Sequence, residues 1–261
     1  MRKITPLLAV AASSLLAQDW ARTTLEKSPR HREWVTIKHA GRNVETFVVY
    51  PEAKEKTPVI VVIHEIYGMT DWVQDAADQF AAAGYIALAP DLLSGMAPNG
   101  GRTSDFAPNT VGPAIGKLPP DQVTDDLNAV ADYGLKLPAA AKKLFVTGFC
   151  WGGGQTFRFA ANRPDMAAAL VFYGPPPDKA AMARIKAPVY GFYGGNDARI
   201  NATIPASKDE MKAAGKTYDP VIYDGAGHGF MRAGEAPDAN EANAKARREA
   251  WARLKEIMKG R

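Results

Sequence analysis

The run Pro58-Val59-Ile60-Val61-Val62-Ile63 constrains the fold more than any other stretch of the chain. It shows no alternation of polar and apolar positions, and all but its first residue are β-branched, so as a strand it must be covered on both faces. A strand of this kind asks for helices above and below it, hence for parallel neighbours joined by crossovers. The residues that follow supply the first crossover. In 71–83, Val73, Ala76, Ala77, Phe80 and Ala81 fall on one helical face, Asp71 with Gln74 has the form of a capping box, and Gly84 provides the stop.

The alternation continues to the end of the chain. Strands are predicted at 34–38, 44–50, 85–89, 144–147, 168–173, 189–193 and 217–223, and helices at 121–135, 152–161, 179–184, 201–214 and 240–258. Residues 18–32 read as a polar lead-in, and 90–119 as a long Gly/Pro/Asn-rich connection of the sort that forms a lid or pocket wall. No repeat or linker interrupts the pattern. The expectation is one doubly wound α/β domain over 18–261, a mostly parallel sheet of about eight strands with helices on both faces. An apolar content of 46% and a single cysteine argue against disorder and against a disulfide scaffold. The 32 basic and 28 acidic residues are interspersed, so no basic stripe marks a nucleic-acid groove, and the charged face of the last helix reads as solvated surface with no stable membrane association.

Residues 1–17 differ in character. Arg2 and Lys3 precede an uncharged stretch, 4–17, that is too short to span a bilayer but suits the apolar region of an export signal, with cleavage after Ala17. Cleavage would lower the formal net charge from +4 to +2 and give a periplasmic or secreted protein. Without cleavage the segment is an apolar N-terminal helix and the protein is cytoplasmic.

The chemistry concentrates in four loops. Gly148-Phe149-Cys150-Trp151-Gly152-Gly153-Gly154 joins a predicted strand to a predicted helix and has the form of a nucleophile elbow with Cys in place of Ser. The strained turn needs small residues two before and two after the nucleophile, and the N-terminus of the following helix favours a thiolate and a developing oxyanion. A phosphate-binding loop would need Gly-Lys-Ser/Thr, whereas Gly154 precedes Gln155. Asp197 lies in Gly194-Gly195-Asn196-Asp197 and His228 in Gly225-Ala226-Gly227-His228-Gly229-Phe230, each just after a predicted strand. Nucleophile, acid and base thus follow the chain order of the α/β-hydrolase fold, on loops that a parallel sheet gathers at one edge. His228 would take the thiol proton and later activate water, and Asp197 would orient the imidazole. His64-Glu65-Ile66-Tyr67-Gly68 ends the buried strand. Gly68 occupies the position where a zinc H-E-x-x-H motif needs its second histidine, so no metal is expected. The Ile66 and Trp151 backbone N–H groups are the candidates for the oxyanion hole. His64 reads as a structural histidine holding that loop, and Glu65 either as a partner of the thiol or as half of a salt bridge to an arginine.

Together, H-E-I-Y-G, A-P-D-L, G-F-C-W-G-G, G-G-N-D and G-A-G-H-G-F resemble the dienelactone hydrolase family, in order and over nearly the whole chain after residue 17. The resemblance implies an α/β-hydrolase fold, a triad of Cys150, His228 and Asp197, a glutamate beside the thiol at Glu65, and no metal or organic cofactor. Its substrates are dienelactones, cyclic enol esters bearing a carboxylate. Two arginines hold that carboxylate in the family: Arg232, four residues after the histidine, matches one, while the stretch after Ala-Pro-Asp-Leu has no arginine before Arg102. The expected partner is a small ester or lactone, and the expected assembly a monomer or small homo-oligomer. A broader carboxylesterase is the alternative. A redox-sensing or binding protein on the same scaffold is another, although a sensor needs no third residue to orient its base.

Overall fold

The computed structural model describes residues 18–261; the export signal expected over residues 1–17 lies outside the described residues. The chain runs α1 (Asp19–Glu26), β1 (Arg32–His39), β2 (Arg42–Val49), β3 (Thr57–Ile63), α2 (Asp71–Ala82) and β4 (Ile86–Pro90). After three short 3-10 turns come α3 (Val111–Ile115), α4 (Pro120–Lys136), β5 (Ala140–Phe149), α5 (Trp151–Ala160), β6 (Met166–Phe172), α6 (Lys179–Arg184) and β7 (Val189–Gly194). The last elements are α7 (Ala198–Asn201), α8 (Ile204–Ala213), β8 (Tyr218–Tyr223), α9 (Phe230–Ala233) and α10 (Glu241–Lys259). The eight strands form one sheet in the order β1-β2-β4-β3-β5-β6-β7-β8. The β1–β2 and β2–β4 pairs are antiparallel and every pair from β4 onward is parallel. This is the mostly parallel, two-sided architecture that the sequence predicts.

The uninterrupted apolar run of β3 has the predicted physical cause. Val59, Val61 and Ile63 point into one layer, with Leu127 of α4, Phe157 of α5 and Met211 of α8. Ile60 and Val62 point into the other, with Leu25 of α1, Phe80 of α2 and Leu254 of α10. Each such side chain, fully withdrawn from water, stabilises the fold by about 2 kcal/mol.

Several local expectations need correction. Residues 19–26 are helical rather than a lead-in: Ala21 and Leu25 are buried against the α2 side of the sheet, and Gln18 Oε1 accepts the Trp72 N–H at 2.8 Å. The α2 helix is capped by Thr70, whose hydroxyl accepts the Val73 N–H, not by an Asp71–Gln74 box. The helix expected at 201–214 begins at Ile204 as α8, and the short α7 precedes it. The 90–119 connection is packed down, with Leu92, Leu93, Val111, Ile115 and Leu118 buried. Asp91 ties it to the loop after β3: its carboxylate accepts both the N–H and the hydroxyl of Thr103, whose oxygen accepts the Met69 N–H.

Candidate active site

The parallel strands β3, β5, β6, β7 and β8 end at one edge of the sheet, and the residue that follows β5 is Cys150. Its backbone stands at φ 57°, ψ −116°, a conformation costly for any residue with a side chain and usual for a nucleophile elbow. The neighbouring glycines show why the turn closes. A Cβ on Gly148 would overlap the Gly152 carbonyl, and one on Gly152 would overlap the carbonyls of Ile63 and His64. The elbow therefore packs directly on the end of β3. Helix α5 starts at Trp151, so the positive end of its dipole faces the half-buried Cys150.

Asp197 follows β7 and His228 follows β8, and the structure brings both to Cys150. Asp197 is 7% exposed; its Oδ2 meets His228 Nδ1 at 2.5 Å. Its Oδ1 accepts the Ile200 N–H at 3.4 Å, so the same carboxylate caps α7. The other influence on the imidazole is the Cys150 thiol. Interaction with Cys150 contributes most to a His228 pKa pushed up to about 9, partial burial works against the rise, and Asp197 adds to it. The Asp197 carboxylate at Nδ1 favours the charged form of the imidazole.

Glu65, 2% exposed, sits at the end of β3, and its Oε2 accepts from Arg232 Nε at 2.7 Å. Of the two sequence readings for Glu65, the structure shows the ion pair. Burial pushes its carboxyl pKa up, against the opposing pull of Arg232 and His228. His64 is fully buried. It bonds Glu65 O through Nδ1 at 2.8 Å, takes the Leu92 N–H at Nε2 at 3.4 Å and stacks on Trp151. Burial lowers its pKa, which suits a neutral ring holding the loop in place. Ile66 stands in that loop and Trp151 in the first turn of α5, and neither backbone N–H makes a hydrogen bond among the described residues.

Arg102 is not brought to this group. Its guanidinium lies 3.8 Å over the Trp34 ring of β1, at the sheet edge and four strand positions from β5, about 19 Å at the usual strand spacing. A residue that sequence reasoning missed is Tyr173, which follows β6. It is fully buried at φ 39°, its ring lies edge-on to His228 with centroids 5.1 Å apart, and its hydroxyl makes no hydrogen bond of normal geometry among the described residues, with the Met231 backbone a polar influence on it. The charges of Glu65, Arg232 and Cys150 all act on this phenol, and burial pushes its pKa well above 10. A strand-terminal tyrosine reads as core; only its loop position, shared with Cys150, Asp197 and His228, could have singled it out.

Comparison with known proteins shows the family and the fold. Residues 44–261 match the model of the "Dienelactone hydrolase family". A Salmonella typhimurium protein described as "Putative carboxymethylenebutenolidase" is 32% identical over 235 residues, covering 85% of this chain and 84% of that protein. The crystal structure of a "Putative Dienelactone Hydrolase" from Klebsiella pneumoniae superposes with a TM-score of 0.75 at 28% identity, over 86% of this chain and 96% of that one. Acylaminoacyl peptidase of Pyrococcus horikoshii, 17% identical, shares the fold with a TM-score of 0.66 over 88% of this chain and 41% of its own. The chain belongs to the dienelactone hydrolase family and has the α/β-hydrolase fold of a carboxylic-ester hydrolase.

Proposed function

We propose that the protein hydrolyses carboxylic esters or lactones through Cys150, His228 and Asp197, by way of a thioester acyl-enzyme. The observation that carries this reading is the His228 ring between Asp197 Oδ2, at 2.5 Å, and the strained Cys150 at the start of α5. The Cys150 thiolate attacks the ester carbonyl carbon, and the oxyanion forms where the Ile66 and Trp151 N–H groups can receive it. Collapse of the tetrahedral intermediate breaks the C–O bond, and the imidazolium of His228 gives its proton to the departing alkoxide. In a lactone that alcohol stays attached to the acyl group. Neutral His228 then takes a proton from water, whose oxygen attacks the thioester carbon. Cys150 leaves as thiolate, a carboxylic acid is released, and the imidazolium is restored. Asp197 keeps Nδ1 protonated throughout.

Arg232, paired with Glu65 and four residues after His228, supplies a guanidinium for a substrate carboxylate. Its partner in the family pattern has no counterpart at the site, because Arg102 is stacked on Trp34. That placement favours a wider range of acyl esters over strict use of dienelactones. The purified protein is expected to turn over cis-dienelactone or p-nitrophenyl esters, and to lose that turnover in Cys150→Ala. Undiminished turnover by the alanine variant contradicts the reading.

A further inference from the structure

Beneath the site, polar groups from α2, α10 and the segment after α9 meet in a network that the mechanism does not use. Asp75 of α2 is fully buried; its Oδ2 accepts from Gln79 Nε2 at 2.6 Å, and its Oδ1 has no hydrogen-bond partner among the described residues. The same Gln79 nitrogen donates to Glu235 Oε1 at 2.6 Å. Glu235 also receives Arg247 Nη2 at 2.7 Å on Oε1 and Trp72 Nε1 at 2.9 Å on Oε2. Arg247 further donates to Gln79 Oε1 at 2.6 Å. The Glu235 N–H donates to Arg232 O at 3.1 Å, so Glu235 anchors the backbone that carries Arg232 and, seven residues before Glu235, His228.

The charges do not balance. Asp78, the other acid facing Asp75, is already held by Arg30 and Ser28, at 2.5 and 2.6 Å. Arg30, whose charge also reaches Asp75, is taken up by Asp78, so among the described residues Arg247 is the cation left for Asp75 and Glu235, and it contacts Glu235. The fully buried Asp75 and the partly buried Glu235 on one guanidinium leave an uncompensated charge, which a bound proton removes at much lower cost than burial of the ion. We infer that Asp75 and Glu235 hold one proton between them and form a latch that fixes the 228–235 segment against α2. The two acids are positioning residues, acting on the site through Arg232 and His228.

Burial, and next the charge of Glu235, push the Asp75 carboxyl up to about 7. When that proton leaves, the acids repel across the Gln79 amide and the segment loses its anchor. The sign for stability follows. Asp75 ionises near 3.8 in the unfolded chain and near 7 in the folded one, so folding takes up a proton between those values. Stability therefore falls as pH rises through that window and stays lowered above it.

Asp75→Asn tests the latch, because asparagine keeps the shape, can donate to Glu235 and never ionises. The melting temperature of the wild type should fall relative to the variant between about pH 4 and 8; parallel curves overturn the proposal. Should the variant fail to fold, carbon NMR of the Asp75 carboxyl in the wild type decides: a midpoint near 7 supports the shared proton, one near 4 overturns it. The link to the site rests on the hydrolase reading and is tested on an ester bearing a distal carboxylate. The variant-to-wild-type ratio of kcat/KM should rise several-fold between about pH 6 and 8, and a constant ratio overturns the positioning role. Absence of ester turnover in both proteins contradicts the hydrolase reading instead, and the melting curves still decide the shared proton.

Discussion

Asp197→Asn separates the two tasks that one carboxylate performs. Asparagine retains an oxygen that can accept the Ile200 N–H, so the cap of α7 survives; loss of such a cap costs about 1 kcal/mol in any case. Facing His228, the outcome differs. The Nδ1–H now meets an amide, which can present its own NH2 and so select the wrong tautomer, and which carries no charge to stabilise the imidazolium. In a serine triad the same change lowers kcat about 10⁴-fold, equivalent to about 5.5 kcal/mol of barrier. The two magnitudes differ enough to be told apart. kcat/KM on a p-nitrophenyl ester should drop by about that factor, while the denaturation midpoint moves by no more than the loss of a cap explains. Asp197→Ser, which caps a helix but is too short to orient His228, should be as inactive. A loss of only a few-fold in either variant would refute the reasoning and leave Asp197 as a helix cap.

Further outcomes follow from the same geometry. The His228 pKa is raised from 6.5 to about 9, so its interactions stabilise the fold fully below pH 6.5 and are lost as pH rises through 9. Melting curves of wild type and His228→Gln should converge over that window, and a constant gap contradicts the charged pair. Tyr173→Phe removes a buried hydroxyl that has no hydrogen-bond partner among the described residues and should leave stability unchanged or raise it by up to about 1 kcal/mol; a clear loss would show that the hydroxyl is bonded. Protein recovered from the periplasm or medium of an expressing bacterium should begin near Gln18, and cytoplasmic protein retaining Arg2 would contradict export.

What the sequence reveals here depends on the range of the interaction. The β-branched run of β3 and the glycines around Cys150 act locally: one states that both faces are covered, the other that the chain must turn where only hydrogen fits. The order of Cys150, Asp197 and His228 becomes spatial because a parallel sheet aligns strand ends, so that placement was legible too. Pairings between distant side chains were not. Nothing in the local sequence says that Arg232 meets Glu65, or that Arg102 lies on Trp34 rather than over the thiol. The α1 helix escaped for a related reason: it buries only Ala21 and Leu25, and its anchoring depends on Gln18 reaching the N-terminus of α2. Asp75 and Asp78 sit on the buried side of a helix whose other inward residues are apolar, and only the fold reveals that Arg30 meets Asp78 while Glu235 shares Gln79 with Asp75.

The central claim is that Cys150 carries the acyl group during turnover. Rapid quenching of the protein with a slow ester substrate, followed by mass spectrometry of its peptides, tests it most directly. The mass of the acyl group is expected on the peptide containing Cys150, held as a hydroxylamine-labile thioester. That adduct should be absent in a folded Cys150→Ala variant that has also lost turnover. An acyl group on any other residue, or full turnover by the alanine variant, would contradict it.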